Sequence, residues 1–247
     1  MIGHLNYDEQ GKAIARVGKR MLFLSDKPVE GGFDTVAPKG DAVIQQVPDK
    51  DAERSVLYIS APSGAGKSYY TREYIAEYRK IYPKRDVFVF SSLDDDPTLD
   101  KLKYLKRIKI RKPEFLTTEL SVDMFKDSLV VMDDVDVIAD RKIKLKVFQL
   151  LNTLLQVGRH ENVSVVYTSH MACNGAETRI ILAECHSLTT FPKNIGGKAA
   201  RYLYDNYLGL DKTEIKSLKS VQGRHVTILK SFPMVALSEG RAWVLRT

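Results

Sequence analysis

The 247-residue sequence has only two cysteines, Cys173 and Cys185. Two thiols cannot build a disulfide framework, and their separation matches no zinc-ligand spacing. Both are therefore expected as reduced thiols in a cytosol-like compartment. Long apolar runs are missing as well. No stretch approaches the roughly 18–20 residues that a membrane-crossing helix needs, so no membrane span is expected. The opening residues, Met1-Ile2-Gly3-His4-Leu5-Asn6-Tyr7-Asp8-Glu9, lack the basic-then-apolar order of a secretory signal. Internal repeats and low-complexity tracts are absent too. What is present is an ordinary globular composition, 44% hydrophobic, long enough for one large α/β domain with additions.

The most informative segment is Ser60-Ala61-Pro62-Ser63-Gly64-Ala65-Gly66-Lys67-Ser68. It follows the apolar run Val56-Leu57-Tyr58-Ile59, which reads as a buried strand, and it precedes a helical stretch from Tyr69 to Tyr78. Strand, glycine-rich loop, Lys-Ser and helix together make a phosphate-binding loop. Small residues let successive backbone N–H groups curl around a phosphate, and the helix N-terminus adds partial positive charge. Residues Pro62 to Tyr69 are the expected nucleotide-binding set. Within it Lys67 reaches the β- and γ-phosphates and Ser68 holds Mg²⁺. One position departs from the usual pattern. Alanine stands at Ala61, six before the lysine, where glycine is customary. It is tolerable unless that backbone needs φ > 0.

A second motif complements the first. Leu129-Val130-Val131-Met132 is an apolar run ending in Asp133-Asp134. Asp133 is expected in the Mg²⁺ shell, and Asp134 is expected to orient or deprotonate the attacking water. Adjacent carboxylates repel unless a cation lies near them, so the pair itself points to Mg²⁺. The two motifs together predict ATP or GTP hydrolysis. The acidic pair and the lack of a lid signature argue against a small-molecule kinase. The third site is the end of Val165-Val166-Tyr167-Thr168-Ser169-His170, where His170, supported by Ser169, is the candidate γ-phosphate sensor. Two arginines, Arg159 in Gly158-Arg159-His160 and Arg179 in Glu177-Thr178-Arg179, are rival candidates for a finger reaching a neighbouring subunit's nucleotide.

Alternating strands and helices predict a mostly parallel sheet covered on both faces. Further strands are expected at Val87–Phe90 and around Arg107–Ile110. A helix is expected from Arg141 to Val157, with Ile143, Val147, Leu150, Leu151, Leu154 and Leu155 on one face. Residues 1–53 read as a β-rich segment, with strand-like pieces at Arg20–Leu24 and Ala42–Val47. Residues 54–195 read as the nucleotide-binding core. Residues 196–247 read as a C-terminal extension packed on it, with a helical patch near Ala199–Leu208 and strands at Val226–Lys230 and Ala242–Leu245. The net charge is +7 with pI near 9.2. Seven basic residues crowd into Lys101–Lys112, and smaller clusters lie at Arg79-Lys80 with Lys84-Arg85 and at Arg141-Lys142 with Lys144 and Lys146. Such clusters suit a phosphate backbone or a solvated outer face. For Lys106–Lys112 the latter is an amphipathic strand with Ile108 and Ile110 inward.

These segments, with Phe90-Ser91-Ser92, Asp96-Pro97-Thr98-Leu99-Asp100 and Gly223-Arg224-His225-Val226-Thr227-Ile228, resemble the vaccinia-type genome-packaging ATPases of large DNA viruses. These belong to the FtsK–HerA superfamily of DNA-pumping motors, and similar ATPases occur in virophages and virus-like transposons. The resemblance runs from about residue 54 to the C-terminus. It implies a RecA/ASCE-like P-loop NTPase fold with short β-rich additions, ATP and Mg²⁺ as cofactors, and a homo-oligomeric ring, usually a hexamer. It also implies non-sequence-specific double-stranded DNA and a capsid or portal vertex as partners, in the host cytoplasm or viral factory or with the virion. By position, Lys67 and Ser68 bind phosphate and Mg²⁺, and Asp133 and Asp134 form the acidic pair. His170 fills the sensor place where many members carry glutamine, so its protonation matters near neutral pH. Two other readings remain: another DNA-processing motor of the conjugation or resection type, and a regulatory nucleotide-binding protein with little turnover.

Overall fold

A computed structural model of the chain describes residues 1–245. The chain divides into two compact units. One is Ala52–Cys185; the other combines Met1–Asp51 with the chain from His186 onward, so stretches far apart in sequence share a unit.

The first unit opens with β1 (Ile2–Asn6), β2 (Lys12–Val17), β3 (Arg20–Glu30), β4 (Thr35–Val36) and β5 (Ile44–Gln46). Strand β3 runs well past the expected end at Leu24, because its last residues, Val29 and Glu30, pair with Gly3 and Ile2 at the start of β1 across an irregularity in the register. The antiparallel order is β1-β3-β2-β5. One face is dry, with Leu5, Ile14, Leu22, Leu24 and Ile44 in a single apolar cluster.

The second unit is a parallel sheet with helices. It begins with β6 (Val56–Ser60) and α1 (Lys67–Ile81), followed by β7 (Val87–Ser91) and β8 (Leu105–Ile108). Then come a short helix α2 (Glu114–Thr117), β9 (Leu129–Asp133), α3 (Arg141–Val157), β10 (Ser164–Ser169) and α4 (Gly175–Glu184). The strand order is β6-β10-β9-β7-β8, every neighbour parallel. Strands β6, β9 and β10 are buried at every residue, which is why they read as unbroken apolar runs rather than alternating ones. Strand β10, the last of the five in sequence, is inserted between β6 and β9. In that register Ser169 lies opposite Ser60, and Tyr167 opposite Met132. The C-terminal ends of three strands therefore open side by side.

Helix α3 has the expected limits. Asp140 caps its N-terminus, accepting from the N–H groups of Lys142 at 2.8 Å and Ile143 at 3.0 Å. Val147, Leu150, Leu151, Leu154 and Leu155 form its buried face, each worth roughly 1.5–3 kcal/mol of transfer free energy. At its far end the guanidinium of buried Arg54 donates to the carbonyls of Leu154 and Leu155, both at 2.6 Å. Gly158 leaves room for that guanidinium; a Cβ there would lie 3.2 Å from Arg54 Nη1. Strand β8 is shorter than the amphipathic strand expected over Lys106–Lys112. It ends at Ile108, with Ile110 buried just beyond it in a turn.

The first unit resumes with β11 (Ser187–Thr190), α5 (Gly197–Arg201) running into a π-helical turn over Tyr202–Tyr207, and α6 (Lys212–Lys219). Strands β12 (Val226–Leu229), β13 (Val235–Ser238) and β14 (Arg241–Val244) follow. These pair antiparallel in the order β4-β14-β13-β12-β11. Leu229, Val235, Leu237 and Ala242 join the apolar cluster of the N-terminal strands. No described helix is long and apolar enough to cross a membrane.

Candidate active site

The loop after β6 takes the conformation its glycines allow. Gly64 and Gly66 have φ of +75° and +118°, left-handed values that a side chain would resist. Ala61 is not among the positive-φ residues. Its N–H donates to the Ser169 carbonyl at 3.1 Å, continuing the β6–β10 ladder. The departure from glycine at this position is therefore sterically harmless. Gly66 precedes α1 and no side chain caps that helix, so its first N–H groups face the loop with their dipole uncompensated.

Three side chains meet above the strand ends. Lys67 is buried, and its Nζ lies 2.9 Å from the Ala61 carbonyl, 3.5 Å from Asp134 Oδ1 and 3.4 Å from His170 Nδ1. His170 Nε2 lies 3.0 Å from Asp134 Oδ2. A ring nitrogen facing an ammonium can only accept, so the proton belongs on Nε2, where it is donated to Asp134. Lys67, Asp134 and His170, drawn from β6–α1, β9 and β10, thus form a closed triangle. Asp134 reaches into it from a left-handed backbone, φ +46°, an uncommon but tolerated conformation for aspartate.

Asp133 sits below the triangle. Burial first, and the Asp134 charge second, push its carboxyl up to about 6, opposed by hydrogen bonds from Thr168 and Ser91. Ser91 Oγ donates to Asp133 Oδ2 at 3.2 Å. Thr168 Oγ1 accepts the Asp134 N–H at 2.9 Å. Its single proton is placed between Asp133 Oδ1 at 3.1 Å and Asp134 Oδ1 at 3.0 Å. Asp136, in the turn after β9, accepts from Ser169 Oγ at 2.8 Å and from the His170 N–H at 3.1 Å. Tyr58, stacked on Tyr167 at 5.4 Å between centroids, donates from its hydroxyl to the Met171 carbonyl at 2.7 Å. That bond fixes the segment just past His170. Thr168, Ser91 and Asp136 had no role assigned from sequence. Their positions at the ends of β10 and β7 and one turn after β9 were the only available signal.

The remaining candidates lie elsewhere. Tyr69, on the first turn of α1, is largely exposed, with the Arg72 guanidinium 4.7 Å from its ring centroid. Arg159 is exposed and pairs with Glu53, Nη2 to Oε1 at 3.2 Å, so within its own chain it points away from Lys67. Arg179 is exposed on α4. Some members of each basic cluster are paired locally. Lys106 pairs with Asp86 and Arg107 with Asp100, both at 2.6 Å, and Arg111 with Asp94 at 3.4 Å. Arg85 pairs with Asp127 at 3.7 Å and Lys144 with Glu177 at 2.9 Å.

No protein-family model matches the chain. An uncharacterized protein of Sputnik virophage, V3, is 34% identical over 253 residues, spanning 99% of this chain and 100% of that relative. The chain belongs to the family of this virophage protein. Its fold also recurs in solved structures. The genome packaging NTPase B204 from Sulfolobus turreted icosahedral virus 2, in complex with ATP-γS, matches with a TM-score of 0.52 and 10% identity, covering 76% of this chain and 98% of that one. The pCW3 conjugation coupling protein TcpA, with ATP-γS, gives 0.53 and 12% identity, covering 93% and 77%. The cytoplasmic domain of the Thermomonospora curvata Type VII secretion ATPase EccC gives 0.54 and 12% identity, covering 85% and 28%. At such identities the likeness carries the fold alone: an α/β P-loop NTPase core.

Proposed function

We propose that this protein is an ATP-driven translocase of double-stranded DNA that packages a viral genome, of the vaccinia type, working as a ring with one active site at each subunit boundary. The observation that carries this reading is the Lys67–Asp134–His170 triangle at the mouth of three adjacent parallel strands.

The donors fit a Mg²⁺-bound nucleoside triphosphate. Magnesium is commonly held by one or two carboxylates together with substrate phosphates, and the site offers Ser68, Asp133 and an uncapped helix N-terminus. A buried carboxyl pushed up to about 6 beside a second carboxylate is one that a cation would draw back into its ionised form. When bound, Mg²⁺ neutralises charge that develops on the transferred phosphoryl group. The chain's own groups do the rest. Lys67 exchanges the Ala61 carbonyl and Asp134 for phosphate oxygens. Asp134, so released, accepts a hydrogen bond from the attacking water and orients it. His170 keeps one nitrogen on Asp134 and registers whether Lys67 is engaged. An arginine from a neighbouring subunit, Arg159 or Arg179, adds positive charge at the transition state.

The likeness to genome packaging B204 and the membership in a virophage family support packaging, with a capsid or portal vertex as partner and a viral-factory or virion setting. Conjugation-type pumping is the second reading, favoured by the 93% coverage of this chain by TcpA. Co-sedimentation with capsids supports the first; association with a relaxase supports the second. Steady-state ATP hydrolysis with and without duplex DNA tests the core of the reading. Stimulation by DNA is expected, with loss of at least about 100-fold in Lys67→Ala. A rate that ignores both DNA and Lys67 would overturn it.

A further inference from the structure

The first unit carries a second feature of chemical interest. A cleft of about 680 Å³ opens among the turns of its N-terminal strands, within the roughly 300–1,000 Å³ range of ligand-holding pockets. Two aromatic rings stand in its wall, Tyr7 and Phe33, edge to face with centroids 6.4 Å apart. Arg20 lies over Tyr7, its guanidinium carbon 3.7 Å from the ring centroid. Lys19 and Lys39 complete the rim, exposed, with Asp8 as the lone lining carboxylate. Lys19, Arg20 and Lys39 form no ion pair among the described residues, whereas Lys106, Arg107 and Arg111 of the Lys101–Lys112 stretch each do.

We propose that this cleft is a binding site for unpaired nucleotides of a DNA strand. Three cations held around one opening with a single carboxylate repel one another, and a polyanion relieves that repulsion while releasing its own counterions. The half-buried rings offer apolar surface to a base, and such stacking is tolerant of sequence because every base has a π-face. A duplex is too wide to enter a cleft of this volume, whereas a frayed end or overhang can thread its backbone past Lys19 and Lys39 and set a base against Phe33. This assignment takes the identity of its polyanion from the DNA-motor reading, but it concerns a surface separate in sequence from the phosphate loop.

The test is binding of a labelled single-stranded oligonucleotide to the full-length chain without nucleotide, across a salt series. Basal ATP hydrolysis is measured in parallel. The Lys19→Gln/Lys39→Gln double variant is expected to bind about tenfold more weakly and to lose about 1.4 from the slope of log K against log salt, two phosphates at about 0.7 each. Phe33→Leu is expected to weaken binding several-fold with the slope unchanged. Basal hydrolysis stays at the wild-type rate in both variants. Wild-type slope and affinity in the double variant would overturn the proposal. So would equal wild-type affinity for polyglutamate of the same length, which would point to an acidic-protein surface. If hydrolysis is absent while the cleft variants still lose oligonucleotide binding, the motor reading fails and the cleft stands.

Discussion

At the scale of single residues, the candidate site depends on how few protons hold its carboxylates together. Thr168 contributes one hydroxyl proton that serves both Asp133 and Asp134, and its oxygen receives the Asp134 N–H. Valine has the same shape and neither property. Thr168→Val is therefore expected to lower ATP turnover by about 10–100-fold, the usual cost of losing a group that orients metal ligands. Its melting temperature should shift by only a few degrees. Steady-state kinetics beside a thermal melt separate the two effects, and full activity in the folded variant would remove Thr168 from the account. The loop and the acidic pair were legible in sequence because each is a contiguous string whose chemistry is local. Thr168 and Ser91 were not. Their function comes from strand register, and a threonine ending a β-strand is otherwise an ordinary residue. Arg54 was hidden for the same reason. A lone arginine before a strand reads as surface, yet it is buried and closes the end of a helix 100 residues away in sequence.

At the scale of elements, apolar periodicity located the core well. Helix α3 and strands β6, β7, β9 and β10 follow from uninterrupted apolar runs or from a single helical stripe. The pieces missed were short. Helix α6 carries a capping box, with Asp211 accepting from the Glu214 N–H at 2.7 Å and Glu214 returning to the Asp211 N–H at 3.1 Å. That Asp-x-x-Glu pattern was readable. Strand β13, four residues long, carried no period. The C-terminal strands also predict a pH response. His225, just before β12, is largely but not fully shielded beside Phe191, with Glu239 Oε1 3.8 Å from its Nδ1. Burial outweighs any help from that carboxylate and lowers the imidazole from 6.5 to about 4. The neutral ring is favoured in the fold, so the unfolded chain binds more protons between these values. Stability from this group is complete above pH 6.5 and is lost as pH falls toward 4, by up to about 3 kcal/mol. Urea unfolding across that range should show the loss, and His225→Asn should flatten it. An unchanged acid slope in the variant would contradict the assignment.

At the scale of the whole molecule, charge is the least transferable reading from sequence. The densest basic stretch, Lys101–Lys112, looks like a nucleic-acid grip, yet three of its seven cations are paired with Asp86, Asp100 and Asp94. Those partners lie outside the stretch, so only the fold reveals them. Three further cations without ion pairs, Lys19, Arg20 and Lys39, sit at turns of the N-terminal strands, where no cluster was evident. Arg159 raises the same issue. It rests on Glu53 at the surface, and an exposed pair of this kind is screened by solvent and holds the side chain only weakly. Under the proposed ring, little holds it back from a neighbouring subunit's nucleotide. The central claim, that ATP turnover at Lys67 and Asp134 drives movement along DNA, is tested most directly by displacement of a triplex-forming strand from duplex DNA. Wild-type protein with ATP is expected to displace the strand, while Lys67→Ala, or wild type with a non-hydrolysable analogue, leaves it in place. A wild type that hydrolyses ATP yet never displaces the strand, or displacement that proceeds without hydrolysis, would contradict the account.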